Sequence, residues 1–396
     1  MSHKPRVLTI DDLESYANAH LPKFARDYFN GGALDSITLR ANRAAYARHW
    51  IRPRVLRDVA NLNLSARAFP DGHSLPFPLC VAPAAMQKMA HPEGEAATAR
   101  ACGAYGTVMG LSSFSMTGLE EVKREADGTR AKAGLEGGSE CVLQMYLFEN
   151  RSVSEGLIWR AEAAGYKAIV LTVDTPYFGR RLTEIRNEFR VPPHLRMANF
   201  DASLGVKTGS ELRTEELAKT NPSNSSAKLE SGQPPNKNDP SMTWNVISYL
   251  RTVTKLPIWL KGILSVEDAE LAVEYGVDAI IVSNHGGRQL DCAPPTLEVL
   301  PGIAKVINGR IPVHFDGGVR RGSDIFKALC LGADMVWIGR PALWAIAYDG
   351  ENGLKLALSI LEDEFRSCMG LAGCSNVKQL GPEYLMPAHP DILSKL

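Results

Sequence analysis

From about residue 78 the chain repeats one pattern. An apolar, β-branched run ends in small or polar residues, and a stretch of helix formers follows. The runs are Leu79–Ala82, Thr107–Leu111, Val142–Tyr146, Ala168–Val173, Ile258–Lys261, Ala279–Val282, Val313–Asp316 and Met335–Ile338. Short, nearly unbroken apolar runs suit strands buried on both faces of a parallel sheet. The segments between them, such as Pro92–Arg100 and Ser265–Ala272, are rich in Ala and Glu. Eight alternating units predict an α/β protein with a closed (β/α)8 TIM barrel rather than an open doubly wound sheet. No GxGxxG follows an early strand, which also weighs against a dinucleotide-binding fold.

The flanks and connections complete the expectation of one domain over residues 1–396. Residues 1–77 are expected to form an N-terminal helical cap, with a helical pattern over residues 9–50. Thr9 and Asp12 make a capping pair there, and Gly31-Gly32 stop one helix before Asp35 opens another. Residues 203–240, after the fourth strand, are rich in Ser, Asn, Pro, Lys and Glu. They read as a flexible loop insertion at the barrel mouth. Leu354–Met369 reads as a closing amphipathic helix.

Composition narrows the function classes. A formal net charge of +0 gives no electrostatic footprint for nucleic acid or an anionic membrane. No apolar run approaches the roughly 20 residues that span a bilayer. Met1–Arg6 has no apolar segment behind it, so no secretory signal is expected. The seven cysteines contain no CxxC, which points to a reducing compartment. The nine histidines show no HExxH spacing, so no metal is expected. Ser394-Lys395-Leu396 at the C-terminus matches a peroxisomal address read by an import receptor, and Pro387–Asp391 before it has the character of an exposed tail.

In such a barrel the C-terminal strand ends converge on one pocket. Here they carry Pro83-Ala84-Ala85, Ser112 with Phe114, Gln144 with Tyr146, Thr172 with Asp174, Lys261, Ser283 with His285 and Arg288, Asp316-Gly317-Gly318-Val319-Arg320, and Gly339-Arg340. Each has a bland reading: Ser112 and Thr172 as helix caps, Gly317-Gly318 as a tight turn, Lys261 as a solvated rim charge, His285 as a satisfied structural imidazole. The set is harder to dismiss. The seventh and eighth strands end in Gly-rich turns with arginines, the usual phosphate site of this fold. Gln144, Thr172 and Ser283 offer neutral hydrogen bonds suited to the edge of a heterocycle. A buried Lys261 needs an anion nearby. Phosphate site, polar edge and cation together suggest FMN. His285, with Arg288 three residues later, suits a proton acceptor beside an anion clamp.

Three motifs carry a resemblance: Ser283-Asn284-His285-Gly286-Gly287-Arg288-Gln289-Leu290-Asp291, Asp316-Gly317-Gly318-Val319-Arg320-Arg321-Gly322 and Ala90-His91-Pro92-Glu93-Gly94-Glu95. Over roughly residues 9–385 the chain resembles the FMN-dependent α-hydroxy-acid oxidases and dehydrogenases, the family of glycolate oxidase and lactate oxidase. The resemblance implies that Pro83, Ala84, Ala85, Ser112, Gln144, Thr172, Lys261, Ser283, Asp316, Gly317, Gly318, Val319, Arg320, Gly339 and Arg340 surround FMN. It implies that Tyr28, Tyr146, Arg181 and Arg288 hold a substrate carboxylate, that His285 is the base and that Asp174 supports it. Lys261 would stabilise the reduced flavin ring. The implied reaction oxidises an L-2-hydroxy acid to the 2-oxo acid and reduces dioxygen to hydrogen peroxide, in a homotetramer. A same-family dehydrogenase using another acceptor and a non-catalytic FMN-binding barrel are the alternatives. Four positions depart from the family pattern: Phe114 for the Trp of plant glycolate oxidases, Tyr177 for a common Arg, Gly287 for Ala and Cys292 for Tyr. Phe114 and Tyr177 are expected to line the side-chain pocket, which argues against glycolate as the best substrate.

Overall fold

Along each strand of the barrel alternate side chains point to one face, so one register decides both the interior and the mouth. In the computed structural model, which describes residues 5–200 and 237–388, eight parallel strands close in sequence order. They are β2 (Leu79–Val81), β3 (Met109–Ser112), β4 (Cys141–Met145), β5 (Ala168–Thr172), β6 (Ile258–Ile263), β7 (Ala279–Val282), β8 (Val313–Asp316) and β9 (Met335–Ile338). Each pairs with the next, and β9 pairs back with β2. Every expected run is a strand, with ends shifted by a residue or two. The 203–236 part of the expected insertion and the 394–396 signal lie outside the described residues.

The interior face holds Cys80, Val108, Val142, Ala168, Val170, Trp259, Ala279, Ile281, Met335 and Trp337, all buried. Two residues further along the same strands stand Gln144, Thr172, Lys261 and Ser283, also buried. An apolar floor and a polar mouth therefore follow from one period-2 pattern. The floor is packed tightly. Trp337 Nε1 donates to His314 Nδ1 at 3.0 Å, and the Trp259 ring meets His314 edge-on at 4.6 Å. Burial pushes the His314 imidazole down to about 3, so it stays neutral and can accept that bond. The opposite strand face packs against the surrounding helices in one large apolar cluster.

The N-terminal segment covers the mouth. Helix α1 (Ile10–His20) opens with the expected capping box, Asp12 N donating to Thr9 Oγ1 at 3.2 Å and Thr9 N to Asp12 Oδ2 at 2.9 Å. Helix α2 (Lys23–Asn30) stops at Gly31 as expected. Asp35, however, does not cap the next helix, α3 (Ile37–Ala44). The carboxylate of Asp291 does so, accepting from Asp35 N at 3.0 Å and Thr38 N at 2.9 Å. Helix ends at Arg48 rather than continuing to residue 50. His49–Ile51 form a short strand, β1, antiparallel to β10 (Leu385–Pro387) near the far end of the chain. A pairing so distant in sequence leaves no local trace. The closing helix begins earlier than expected. It runs over Arg340–Ala372, kinked at Asp349 and Gly350, and starts directly behind β9.

Candidate active site

A cavity of about 600 Å³ opens at the C-terminal strand ends. Nineteen of the expected site residues line it: Tyr28, Pro83, Ala84, Ala85, Ser112, Phe114, Gln144, Tyr146, Thr172, Arg181, Lys261, His285, Arg288, Asp316, Gly317, Gly318, Val319, Gly339 and Arg340. Asp174 and Ser283 stand just behind the wall and act through neighbours. Ser283 Oγ accepts from Lys261 Nζ at 2.6 Å and from His285 N at 3.1 Å.

His285 begins a 3-10 turn immediately after β7, with φ +57. A non-glycine residue in the left-handed region carries local strain, so the surrounding contacts hold it there. Gly286 and Gly287 continue at φ +63 and +72. At Gly287 a Cβ would also come within 2.5 Å of Leu39 N, so this glycine lets α3 pack on the motif. His285 Nδ1 lies 2.9 Å from Asp174 Oδ1. The carboxylate only accepts, so Nδ1 carries the proton and Nε2 keeps its lone pair. Burial lowers the His285 pKa below its ordinary value, although Asp174 opposes this. The resting ring is therefore neutral, as a base must be. Burial would raise Asp174, but His285 first, then Lys261 and Thr175, hold it below the usual carboxylate value.

The expected carboxylate clamp is assembled as follows. Arg288 donates to the carbonyls of Tyr28 at 2.5 Å and Gly31 at 3.3 Å, and its guanidinium lies 4.9 Å from the Tyr28 ring centroid. Arg181 donates to the Arg288 carbonyl at 3.3 Å. Tyr28 stacks on Phe189 and Tyr146 on Phe114, with centroids 4.7 and 5.3 Å apart. Burial raises both phenols, so they remain hydrogen-bond donors at neutral pH. Sequence reasoning missed Glu184. Its carboxylate is 3.1 Å from Arg181 and 3.3 Å from Arg288. The only local signal was its spacing of three residues from Arg181.

On the other side of the cavity, Lys261 Nζ is 3.0 Å from Asp316 Oδ2, which supplies the anion the buried lysine needed. Gln144 Nε2 donates to Thr172 Oγ1 at 3.0 Å. Arg340 donates to three carbonyls, those of Phe29, Gly286 and Gly31, at 2.8–2.9 Å. Three of its five N–H groups are thus used. Two expectations need correction. Arg320 does not line the cavity: its guanidinium lies 4.5 Å from the Trp344 ring centroid, and one Nη donates to the Val319 carbonyl at 2.8 Å. Its Nε is buried without a hydrogen-bond partner among the described residues. Tyr177 does not line the side-chain pocket either, being 75% exposed. The chain leaves strand geometry after Thr172, so alternation no longer predicts direction, and Phe178 faces the cavity instead. Phe178, Phe189, Met197 and Phe114 form its apolar wall.

Comparisons with known proteins identify the family of the chain. The family model described as FMN-dependent dehydrogenase matches residues 17–387. The chain is 44% identical to human 2-hydroxyacid oxidase 1 over 394 residues, covering 99% of this chain and 100% of that one. It is 44% identical to glycolate oxidase of Spinacia oleracea over 379 residues, 96% of this chain and 95% of that one. Among solved structures, mandelate oxidase superposes with a TM-score of 0.82 at 36% identity, covering 97% of this chain and 99% of that one.

Proposed function

The chain belongs to the FMN-dependent dehydrogenase family, and from that membership we propose that it is an FMN-dependent (S)-2-hydroxy-acid oxidase acting on acids with an apolar side chain. The observation that carries this reading is His285, held from behind by Asp174 at 2.9 Å, in the same cavity wall as Arg288.

The residues present fit FMN. Gly339 lines the cavity, and a Cβ there would meet nothing within 4 Å, so space is left beside the backbone. It precedes the N-terminus of the closing helix, which no side chain caps, and Arg340 retains two unused N–H groups there. Free amides at a helix start beside a guanidinium suit a phosphate. Asp316 Oδ1 is buried without a partner among the described residues, a polar atom still to be satisfied. Gly317, Gly318, Val319, Gly339 and Arg340 would hold the phosphate. Ala84, Ser112, Gln144, Thr172 and Lys261 would hold the ring system. Bound FMN supplies the two-electron acceptor, and dioxygen, as its reoxidant, leaves as hydrogen peroxide.

The chain's own residues do the rest. Arg288 and the Tyr28 and Tyr146 phenols bind the substrate carboxylate and so fix the α-carbon relative to His285. Nε2 of His285 accepts a proton from the substrate. Asp174 holds the resulting imidazolium in place and stabilises its charge, the task of the acid in a Ser-His-Asp triad. The wall of Phe114, Phe178, Phe189 and Met197 offers apolar surface that glycolate cannot use. Anaerobic bleaching of the flavin by a panel from glycolate to longer and aromatic 2-hydroxy acids, followed by peroxide assay in air, tests this. Absence of bleaching by every acid overturns it, and bleaching without peroxide in air would make the protein a dehydrogenase.

The C-terminal Ser394-Lys395-Leu396 supports import into peroxisomes through a receptor, where the peroxide can be consumed. A tagged protein lacking these three residues should stay cytosolic. The family resemblance supports a homotetramer, which light scattering measures.

A further inference from the structure

We infer that Glu184 restricts the site to monocarboxylates by cancelling one of the two guanidinium charges in the carboxylate clamp. The inference rests on the hydroxy-acid reading above and names its substrate class more narrowly.

The relevant side chains are nearly sealed from water: Arg181, Glu184 and Arg288 are 11%, 15% and 14% exposed. Burial and then Arg181 make the charge on Arg288 harder to hold, and Glu184 works against both. Two positive charges less one negative leave a single positive charge in the clamp. One substrate carboxylate brings that sum to zero. A second carboxylate on the substrate would lie near the apolar wall, buried and without a counter-charge. The other cations cannot supply one. Lys261 is paired with Asp316, and Arg340 is assigned to the FMN phosphate in the reading above. Arg180 lines the cavity but is exposed, so its charge is screened by solvent.

Glu184 is also held in place. It sits on the short helix α4 (Leu182–Arg186), three residues after Arg181. Asn187 directly behind that helix hydrogen-bonds to Asp27 of α2, and Arg181 donates to Gln289 Oε1 at 3.3 Å. Tyr28, which faces the clamp, belongs to α2 as well. The carboxylate is thus built into the wall rather than resting on it.

The test is calorimetric binding of 2-oxoglutarate, a dianion whose second carboxylate ends the side chain, and 2-oxopentanoate, a monoanion of the same chain length, to the FMN-loaded enzyme. In Glu184→Gln the ratio of 2-oxoglutarate to 2-oxopentanoate affinity should rise by about tenfold, because the second carboxylate then meets a guanidinium charge that Glu184 no longer cancels. Glu184→Asp keeps the charge and should keep the wild-type ratio. A ratio in Glu184→Gln within about twofold of wild type overturns the inference, since a charge at hydrogen-bond distance in a buried site is worth more than that. If Glu184→Gln does not retain FMN, Arg181→Gln decides. With Glu184 then cancelling Arg288, 2-oxopentanoate binding should weaken by about tenfold or more, and the Arg181→Gln/Glu184→Gln double variant should recover it. A double variant no tighter than Arg181→Gln overturns the inference. Turnover of 2-hydroxy acids by the unmodified enzyme is measured separately. Its failure would remove the hydroxy-acid reading without touching the charge ratio.

Discussion

Lys261 and Asp316 form an ion pair 3.0 Å long between the ends of two barrel strands that do not touch, β6 and β8. Ser283, directly after β7 between them, accepts from the same ammonium at 2.6 Å. The three residues thus tie the ends of three neighbouring strands together at the floor of the cavity. With side chains 7% and 10% exposed, the pair is buried, and removing one partner leaves the other uncompensated.

Lys261→Met should therefore lower stability, by about 3–5 kcal/mol if Asp316 is left charged and unpaired. It should also weaken FMN binding, since the cation proposed to hold the flavin ring is lost. Thermal melts with and without added FMN measure both effects. The companion Lys261→Met/Asp316→Asn should regain part of the stability but not the FMN affinity. Unchanged FMN affinity in Lys261→Met would remove the lysine from the cofactor site.

The apolar wall leads to a prediction about size. Phe114 is buried, stacks on Tyr146 and lies 5.5 Å, centroid to centroid, from Phe200. Phe114→Trp adds volume where the substrate side chain would lie. It should shift kcat/KM toward the smaller acids, by about 10-fold or more between lactate and 2-hydroxyoctanoate, because overfilling a packed wall costs about 1–3 kcal/mol. Phe178→Ala should shift it the other way. Identical substrate ratios in wild type and both variants would place the side chain elsewhere.

Much of this site was legible because of strand periodicity. Gln144, Thr172, Lys261 and Ser283 fall on the inward register of their strands, and the sequence shows that register directly as alternation with Val142, Val170, Trp259 and Ile281. The Gly-rich motifs after β7, β8 and β9 mark where the backbone must turn sharply. What was not legible lies where regular geometry stops. Beyond Thr172 no strand period remains to say which side chain turns inward; the family pattern pointed to Tyr177, and Phe178 is there. Glu184 acquires its role only because α4 packs beside Arg288, a partner 104 residues away. Likewise Asp291 caps α3 from 253 residues downstream, at Thr38, and nothing near Asp35 announces it. Arg320 was expected at the cavity because its motif is, but the Trp344 ring offered by the closing helix holds its guanidinium behind the wall.

His285→Gln removes the base while keeping a similar volume. The variant should still hold FMN, because the flavin contacts come mainly from other strands. It should still bind oxalate, through Arg288 and the two tyrosines. Its kcat should fall by about 10²–10⁴, the usual worth of a general base. Anaerobic stopped-flow reduction is the measurement. A variant that reduces within about tenfold of wild type would show that the proton leaves by another route.

The last prediction concerns pH, where the sign separates the two roles in the His285–Asp174 pair. Only the neutral imidazole can take a proton, so kcat/KM should be flat above the pKa of His285 in the free enzyme and fall as pH drops through it. Burial sets that pKa below the ordinary histidine value, and Asp174 holds it up against burial. Asp174→Asn removes the upward influence, so the acid limb should move to lower pH. The plateau rate should fall at the same time, because the imidazolium formed during reaction has lost its counter-charge. A purely structural role for Asp174 would lower the rate without moving the limb in that direction. A pH profile of kcat/KM for wild type and Asp174→Asn decides between them. A limb that stays in place, or moves upward, would mean that Asp174 does not act on His285 through its charge.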